Sequence, residues 1–369
     1  VIYNKEGQNM NINRRIEYTR TYQDTAYLKL VQKILNEGFT VMDRTGTGTI
    51  GINGYQCDYD MSRHSRYTDS GVLIVDNFPL LTTKRVYLKG IVYELLWFLR
   101  GDTNIKYLVD NDVNIWNDWP LKAYNNQYAI MRTVPPISKT GSQTATLEEF
   151  VEAIKTRPDF AKNYGELGPV YGKQWRAWET PEEARLGGAG DHVIDQLALM
   201  VDQLKNNKFS RRIIVSAWNP ADIDEMAKAG LPPCHMEFQA LVRPNSEDET
   251  RPYLDLQLYI RSNDIFLGAP FNIASYALLL CLLAKECGYL PGKLIYMIGS
   301  AHIYLNHVEQ MKEQLSREPL RSPTLHITNR HDNLSILETD ANSENAYRYD
   351  DFVLTNYVAH KPIKGAVAV

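Results

Sequence analysis

Cysteine is scarce in this sequence. Four occur in 369 residues, at 57, 234, 281 and 287, and no two form a Cys-x-x-Cys pair. That excludes a secreted disulfide scaffold and the usual thiolate zinc or redox centres. Long apolar runs are missing too: the longest, Ala277 to Ala284, is far short of the roughly 20 residues that span a bilayer. The first 24 residues are polar and lack the apolar stretch of a signal peptide. There is no excess of positive charge, the formal net charge being −4. A protein built mainly to grip nucleic acid is therefore not expected, although a local basic pocket for a small phosphorylated ligand is allowed. A chain of this length buries a core that needs no metal or disulfide to hold it. The expectation is a reduced, cytoplasmic, soluble enzyme without a metal.

The spacing predicts a helix from about Asp24 to Glu37, with Tyr27, Leu28, Val31, Ile34 and Leu35 on one face, Asp24 capping the start and Gly38 ending it. A Gly/Thr loop at 43–49 leads into strands near 50–61 and 71–76, with 62–71 between them as an exposed loop. Val86 to Leu99 is an apolar helix carrying one acid, Glu94. Residues 120–164 are expected to be a polar, irregular surface insertion with one short helix, started by a capping box between Thr146 and Glu149. Further on come a helix near 191–206 and strands at 212–218, 235–243 and 253–263. A buried helix at 274–287 and a strand at 294–298 follow. No repeat or linker divides the chain. The fold class expected is α+β, one domain over 24–369 behind a polar extension at 1–23, with a large mixed or antiparallel sheet flanked by helices.

The cysteines separate by context. Cys281 and Cys287 lie in an apolar helix and Cys57 on an alternating strand, where an inert buried thiol is the default. Cys234 follows the rigid turn Leu231-Pro232-Pro233 and precedes His235 at the mouth of a strand. A thiolate beside positive charge is a usable nucleophile. A Cys-His pair also fits a buried structural role, since neighbours on a strand face opposite ways. Spacing alone leaves both readings open.

The surrounding motifs decide between them. Leu231-Pro232-Pro233-Cys234-His235 resembles the nucleophile motif of the thymidylate synthase family. Asp43 to Thr49, Phe78 to Arg85, Glu94 to Leu99, Gly168 to Trp178, Ser210 to Asn219, Arg261 to Asp264, Phe266 to Tyr276 and His302-Ile303-Tyr304 resemble other motifs of that family, in the family's order. The resemblance covers about residues 24 to 369, apart from insertions.

It implies a homodimer, with the sheet at the interface, that carries a one-carbon unit from 5,10-methylenetetrahydrofolate to C5 of dUMP. Cys234 would add to C6, with Glu94, Tyr171, His235 and Asp264 completing the catalytic set. Arg44, Arg261 and Ser262 would hold the phosphate, with Arg211 and Arg212 reaching in from the other subunit. Guanidinium forks suit a phosphate better than lysine does. Asn272 would pair with O4 and N3–H of uracil, because its amide offers both a donor and an acceptor. His302 and Tyr304 would hold the ribose hydroxyl. Lys84, Ile115, Trp116, Trp119, Asp264, Leu267, Gly268 and Phe271 would line the folate site, and the tail with Val367 and Val369 would close over it. Glu94, amid apolar neighbours, should have a raised pKa suited to proton shuttling.

The same resemblance admits two outcomes: hydride transfer, giving dTMP and dihydrofolate, or addition of water by a hydroxymethylase. An inactive nucleotide- or RNA-binding homologue is a third reading, opposed by the intact Cys234, Glu94 and Asn272. Three positions depart from the family pattern. Ile260 stands where glutamine is common and continues the apolar face of Leu254, Leu256 and Leu258, as if packing at an interface. Ser300 replaces an acid. Gly365-Ala366 replaces Ala-Pro, a change expected to loosen the closing tail.

Overall fold

Helix α1 (Asp24–Glu37) forms where the spacing placed it, with Tyr27, Leu28, Val31, Ile34 and Leu35 all buried. The Gly38 N–H closes it on the Ile34 carbonyl at 2.8 Å. A Cβ at Gly38 would collide with that carbonyl, so only glycine permits this exit. The capping expectation fails at the other end. Gln23 is the capping residue and makes no side-chain cap, while Asp24 sits inside the helix, fully buried. Its carboxylate instead accepts the backbone N–H and hydroxyl groups of Thr82 and Thr83 at 2.8–3.1 Å.

The structure is a computed structural model and describes residues 23–43, 46–131, 144–179, 193–228 and 232–366. After α1 come β1 (Phe39–Val41), β2 (Thr49–Asp60), β3 (Ser65–Tyr67) and β4 (Leu73–Val75). Helices α2 (Leu88–Leu99), α3 (Lys106–Asp110), α4 (Asp118–Met131), α5 (Leu147–Thr156), α6 (Pro158–Tyr164) and α7 (Tyr171–Arg176) follow. Next are β5 (Trp178–Glu179), β6 (Val193–Ile194), α8 (Gln196–Asn206), β7 (Ile214–Ser216), α9 (Ile223–Lys228) and β8 (His235–Arg243). The chain continues through β9 (Tyr253–Asp264), α10 (Ala269–Cys287), β10 (Leu290–Tyr304), α11 (Val308–Leu315), β11 (Thr324–Ile327) and β12 (Phe352–Thr355).

A sheet ordered β1-β2-β10-β9-β8-β7 organises the molecule. Its β9–β10 pair is parallel and the other pairs are antiparallel, so the sheet is mixed and the fold α+β. Along β9 the alternation is plain: Leu254, Leu256, Leu258 and Ile260 are fully buried, while Tyr253, Asp255, Gln257 and Tyr259 on the other face stay half-buried. Helix α10 packs against β9 and β10, with every residue from Ile273 to Ala284 buried. It meets the length and mean apolarity of a membrane span, yet it is the protein's core helix. Ile260 therefore belongs to the chain's own core, correcting the interface reading.

Several elements differ from expectation for physical reasons. Helix α10 starts at Ala269 rather than 274, because Pro270 stands at the first turn, where its missing N–H costs nothing. Strand β10 is far longer than 294–298, since a bulge between Pro291 and Leu294 absorbs the Pro-Gly pair. The supposed exposed loop at 62–71 contains a short 3-10 turn with Ser62 buried, and then β3. Residues 118–164 hold three helices rather than one in an irregular segment. The capping box is real: Glu149 N–H donates to Thr146 Oγ1 at 3.2 Å, and Thr146 N–H to Glu149 Oε2 at 3.0 Å.

Candidate active site

Cys234 lies just before β8. The β8–β9 register shifts between His235 and Glu237, a bulge that puts one extra residue on the β8 side beside the cysteine. Strand β9 delivers Arg261, whose backbone N–H donates to the Cys234 carbonyl at 2.9 Å. Its guanidinium then clamps the proline turn: Nε donates to Pro233 O and Nη2 to Pro232 O, each at 2.9 Å. Nη2 also stands 3.9 Å from Cys234 Sγ, and the guanidinium lies over the Trp218 ring at 5.6 Å. A fixed cation beside the sulfur offers charge compensation for a thiolate. The other thiols lack this setting. Burial pushes Cys57 and Cys287 up to about 12, and Cys281 also well up.

Tyr171 opens α7, and its hydroxyl accepts the N–H of Cys234 at 2.9 Å. Burial raises this phenol well above its ordinary range, so it is held as a neutral hydroxyl. Its ring lies 5.0 Å from the His235 imidazole, which Tyr276 meets edge-on at 5.2 Å. Loss of hydration drives His235 down to about 4, leaving a neutral ring that shares a hydrogen bond with Asn272 in the first turn of α10.

Tyr171 also reaches Trp116, ring centroids 6.2 Å apart, and Trp116 Nε1 donates to Glu94 Oε1 at 2.8 Å. Burial raises Glu94 to about 7, opposed by that bond, as its apolar position on α2 predicted. Trp119 stands 5.6 Å from Trp116. Cys234, Arg261, Tyr171, His235, Asn272, Glu94, Trp116 and Trp119 thus form one connected set.

A second group adjoins it along β9 and β10, where register pairs Asp264 with His302 and Ser262 with Ser300. Asp264 Oδ1 accepts the N–H groups of Phe266 and Leu267 at 2.9 and 3.1 Å. Leu267, Gly268 and Phe271 follow, half-buried. Desolvation lowers the pKa of His302, whose ring meets Tyr304 edge-on at 5.5 Å. Lys84 Nζ donates to Phe266 O at 2.5 Å, and burial lowers its pKa to about 8.

Other predicted residues stand apart. Arg211 and Arg212 are exposed before β7 at the far edge of the sheet, with no ion pair among the described residues. Ile115 is 45% exposed. Arg44, Val367 and Val369 lie outside the described residues. The preceding tail does not look loose: His307 Nε2 meets Ala366 O at 2.8 Å, and a Cβ at Gly365 would stand 2.5 Å from Phe266 Cε1. Glycine here allows close seating rather than slackness. Sequence reasoning missed Tyr276, Tyr296, Asn263 and His307, which carry no motif of their own. Trp218 lay inside a recognised motif but had been given no role. Among the described residues no cluster of three or more His, Cys, Asp or Glu could hold a metal ion.

Known proteins share this arrangement over nearly the whole chain. The family model for thymidylate synthase matches residues 25–369. The chain belongs to the thymidylate synthase family. Thymidylate synthases of Mycoplasma pneumoniae and Mesoplasma florum are each 44% identical to it over 343 residues, 93% of this chain and 99% of theirs. The thymidylate synthase of Malacoplasma penetrans is 41% identical over the same share. Family membership also accounts for the sheet-centred α+β architecture.

Proposed function

We propose that this enzyme transfers a one-carbon unit from 5,10-methylenetetrahydrofolate to C5 of dUMP and reduces it, giving dTMP. The observation that carries the reading is the Arg261 guanidinium 3.9 Å from Cys234 Sγ, in a turn whose next N–H is held by Tyr171. Addition of the sulfur to C6 forms the S–C bond and moves the C5–C6 electron pair toward C5 and O4, making C5 a nucleophile. C5 then bonds to the one-carbon unit, its proton leaves, and expulsion of Cys234 restores the ring.

Each neighbour has a part. Arg261, with Arg44 and Ser262, holds the phosphate. Asn272, oriented by neutral His235, faces O4 and N3–H of the base. His302 and Tyr304 hold the sugar hydroxyl. Glu94, raised to about 7, passes protons through water to O4 and to the departing groups.

The residues present fit a flat heteroaromatic co-substrate with an anionic tail. Trp116 and Trp119 supply ring faces, Ile115, Leu267, Gly268 and Phe271 apolar contact, Asp264 an acceptor, and Lys84 a cation. Val367 and Val369 belong to the tail that closes over them. Folate supplies the one-carbon unit and the hydride, leaving dihydrofolate.

The enzyme acts as a homodimer through the half-buried outer face of the sheet, which sends Arg211 and Arg212 to the partner's phosphate site. We retain one catalytic domain over 24–369, an extension at 1–23, a surface insertion at about 120–164, and a cytoplasmic location.

The deciding experiment incubates the protein with dUMP and methylenetetrahydrofolate, weighs the nucleotide by mass spectrometry and follows dihydrofolate by absorbance. Thymidylate with stoichiometric dihydrofolate is expected. A hydroxymethyl product without dihydrofolate would replace the synthase by a hydroxymethylase. Mixing Arg212→Ala and Cys234→Ala proteins tests the dimer: hybrids should regain activity, and no recovery would remove the shared site.

A further inference from the structure

Beneath the pyrimidine side of the site lies a polar pair that the reaction does not consume. Tyr296 of β10 and Asn263 of β9 are 1% and 3% exposed, and the Tyr296 hydroxyl donates to Asn263 Oδ1 at 2.8 Å. The amide nitrogens of Asn263 and Asn272 both crowd Gly268, at 3.4 and 3.6 Å from where its Cβ would stand. Two asparagine side chains therefore converge on one point at the start of α10. Asn272 also hydrogen-bonds to the Tyr296 hydroxyl and to His235.

A tyrosine hydroxyl has one proton, and here Asn263 takes it. Toward Asn272 the hydroxyl can then show only lone pairs. Asn272 must meet it with Nδ2–H, while its Oδ1 faces the N–H of neutral His235. Turning the amide over would set oxygen against oxygen at Tyr296 and lose the bond to His235. One N–H and one lone pair of Asn272 remain, side by side and in a fixed order.

That order matters for a pyrimidine. Uracil presents an acceptor at position 4 and a donor at position 3, and cytosine presents the reverse. An amide free to turn over would serve both bases.

We propose that Tyr296 and Asn263 are positioning residues that lock the Asn272 amide in one orientation and so set the preference for uracil over cytosine nucleotides. The proposal rests on the reading of Asn272 as the base-facing residue.

The test measures dissociation constants of dUMP and dCMP for the full-length protein by titration calorimetry, without folate. Tyr296→Phe removes the hydroxyl and keeps the ring. It should lower the dCMP-to-dUMP ratio of dissociation constants about tenfold, the scale of a lost buried hydrogen bond. Asn263→Ala frees the tyrosine proton and should lower the ratio similarly. The double variant should fall no further, because both changes break one device. Tyr59→Phe is the control. That ring stands edge-on to Tyr296 at 6.5 Å, its hydroxyl faces Cys57, and the ratio should not change.

An unchanged ratio in Tyr296→Phe of near-native melting temperature overturns the lock. An equal fall in Tyr59→Phe overturns it too, by exposing a general packing effect. Should the unaltered protein bind dUMP no better than dCMP, the substrate reading itself falls, and the lock with it.

Discussion

The Tyr171 hydroxyl accepts the backbone N–H of Cys234 at 2.9 Å and lies 3.5 Å from the N–H of His235. A phenol from α7 thus holds the nucleophile's main chain from one side, while Arg261 holds the preceding two carbonyls from the other. Tyr171→Phe keeps the ring contacts with Trp116 and His235 but leaves the Cys234 N–H without its acceptor. Its kcat should fall about tenfold to a hundredfold, because a misplaced sulfur costs the addition step. Steady-state kinetics beside an unchanged circular dichroism spectrum would check this; undiminished kcat would show that the clamp is unnecessary.

Cys234→Ser should abolish turnover and leave dUMP binding measurable. The serine hydroxyl is a far weaker nucleophile at neutral pH, yet the phosphate and base contacts do not involve the sulfur. The intact protein should form a covalent adduct with 5-fluoro-dUMP and methylenetetrahydrofolate, visible as an added mass. The variant should form none. An adduct on another residue would reassign the nucleophile.

Cys234 was distinguishable in the sequence because a Pro-Pro turn and the surrounding motifs are local features. Glu94 was legible for a related reason: helical periodicity alone places it among apolar neighbours, and its raised pKa follows. What escaped depends on distant chain segments. Asp24 looks like a helix cap, and nothing in its neighbourhood says that Thr82 and Thr83 compete for it. Ile260 shows its alternation openly, but alternation does not say whether a strand face meets another subunit or the chain's own α10. Tyr296 and Asn263 sit on different strands, and only the register of β9 against β10 makes them partners.

Asp24 carries the next prediction. Four donors from Thr82 and Thr83 converge on its carboxylate, and Thr83 O accepts from Arg317 at 2.8 Å. The same loop bonds to the C-terminal segment, where His360 N–H donates to Thr82 O at 2.8 Å. Asp24→Ala leaves those donors buried without an acceptor, costing about 3 kcal/mol or more. Urea unfolding should show a lower midpoint with a similar slope. Lys84 follows Thr83 directly, so loosening the loop should also raise KM for folate more than KM for dUMP. A midpoint within experimental error of the parent would remove Asp24 as the anchor.

Glu94 links the site to pH. Its carboxyl rises from an ordinary value of 4.5 to about 7 on folding, chiefly through burial. The folded state therefore holds this proton more tightly than the unfolded chain. The resulting stabilisation is fully present below about 4.5 and is lost as pH rises through about 7. Glu94→Gln cannot titrate, so the parent protein should lose stability relative to the variant between those limits. Near pH 7 the parent carboxyl is half protonated and can both give and accept a proton. The variant should keep dUMP binding, lose about a hundredfold or more in kcat, and lose the limb of the kcat/KM profile centred near 7. A profile with that limb intact would show that another group titrates there, and that the bond from Trp116 to Glu94 serves structure alone.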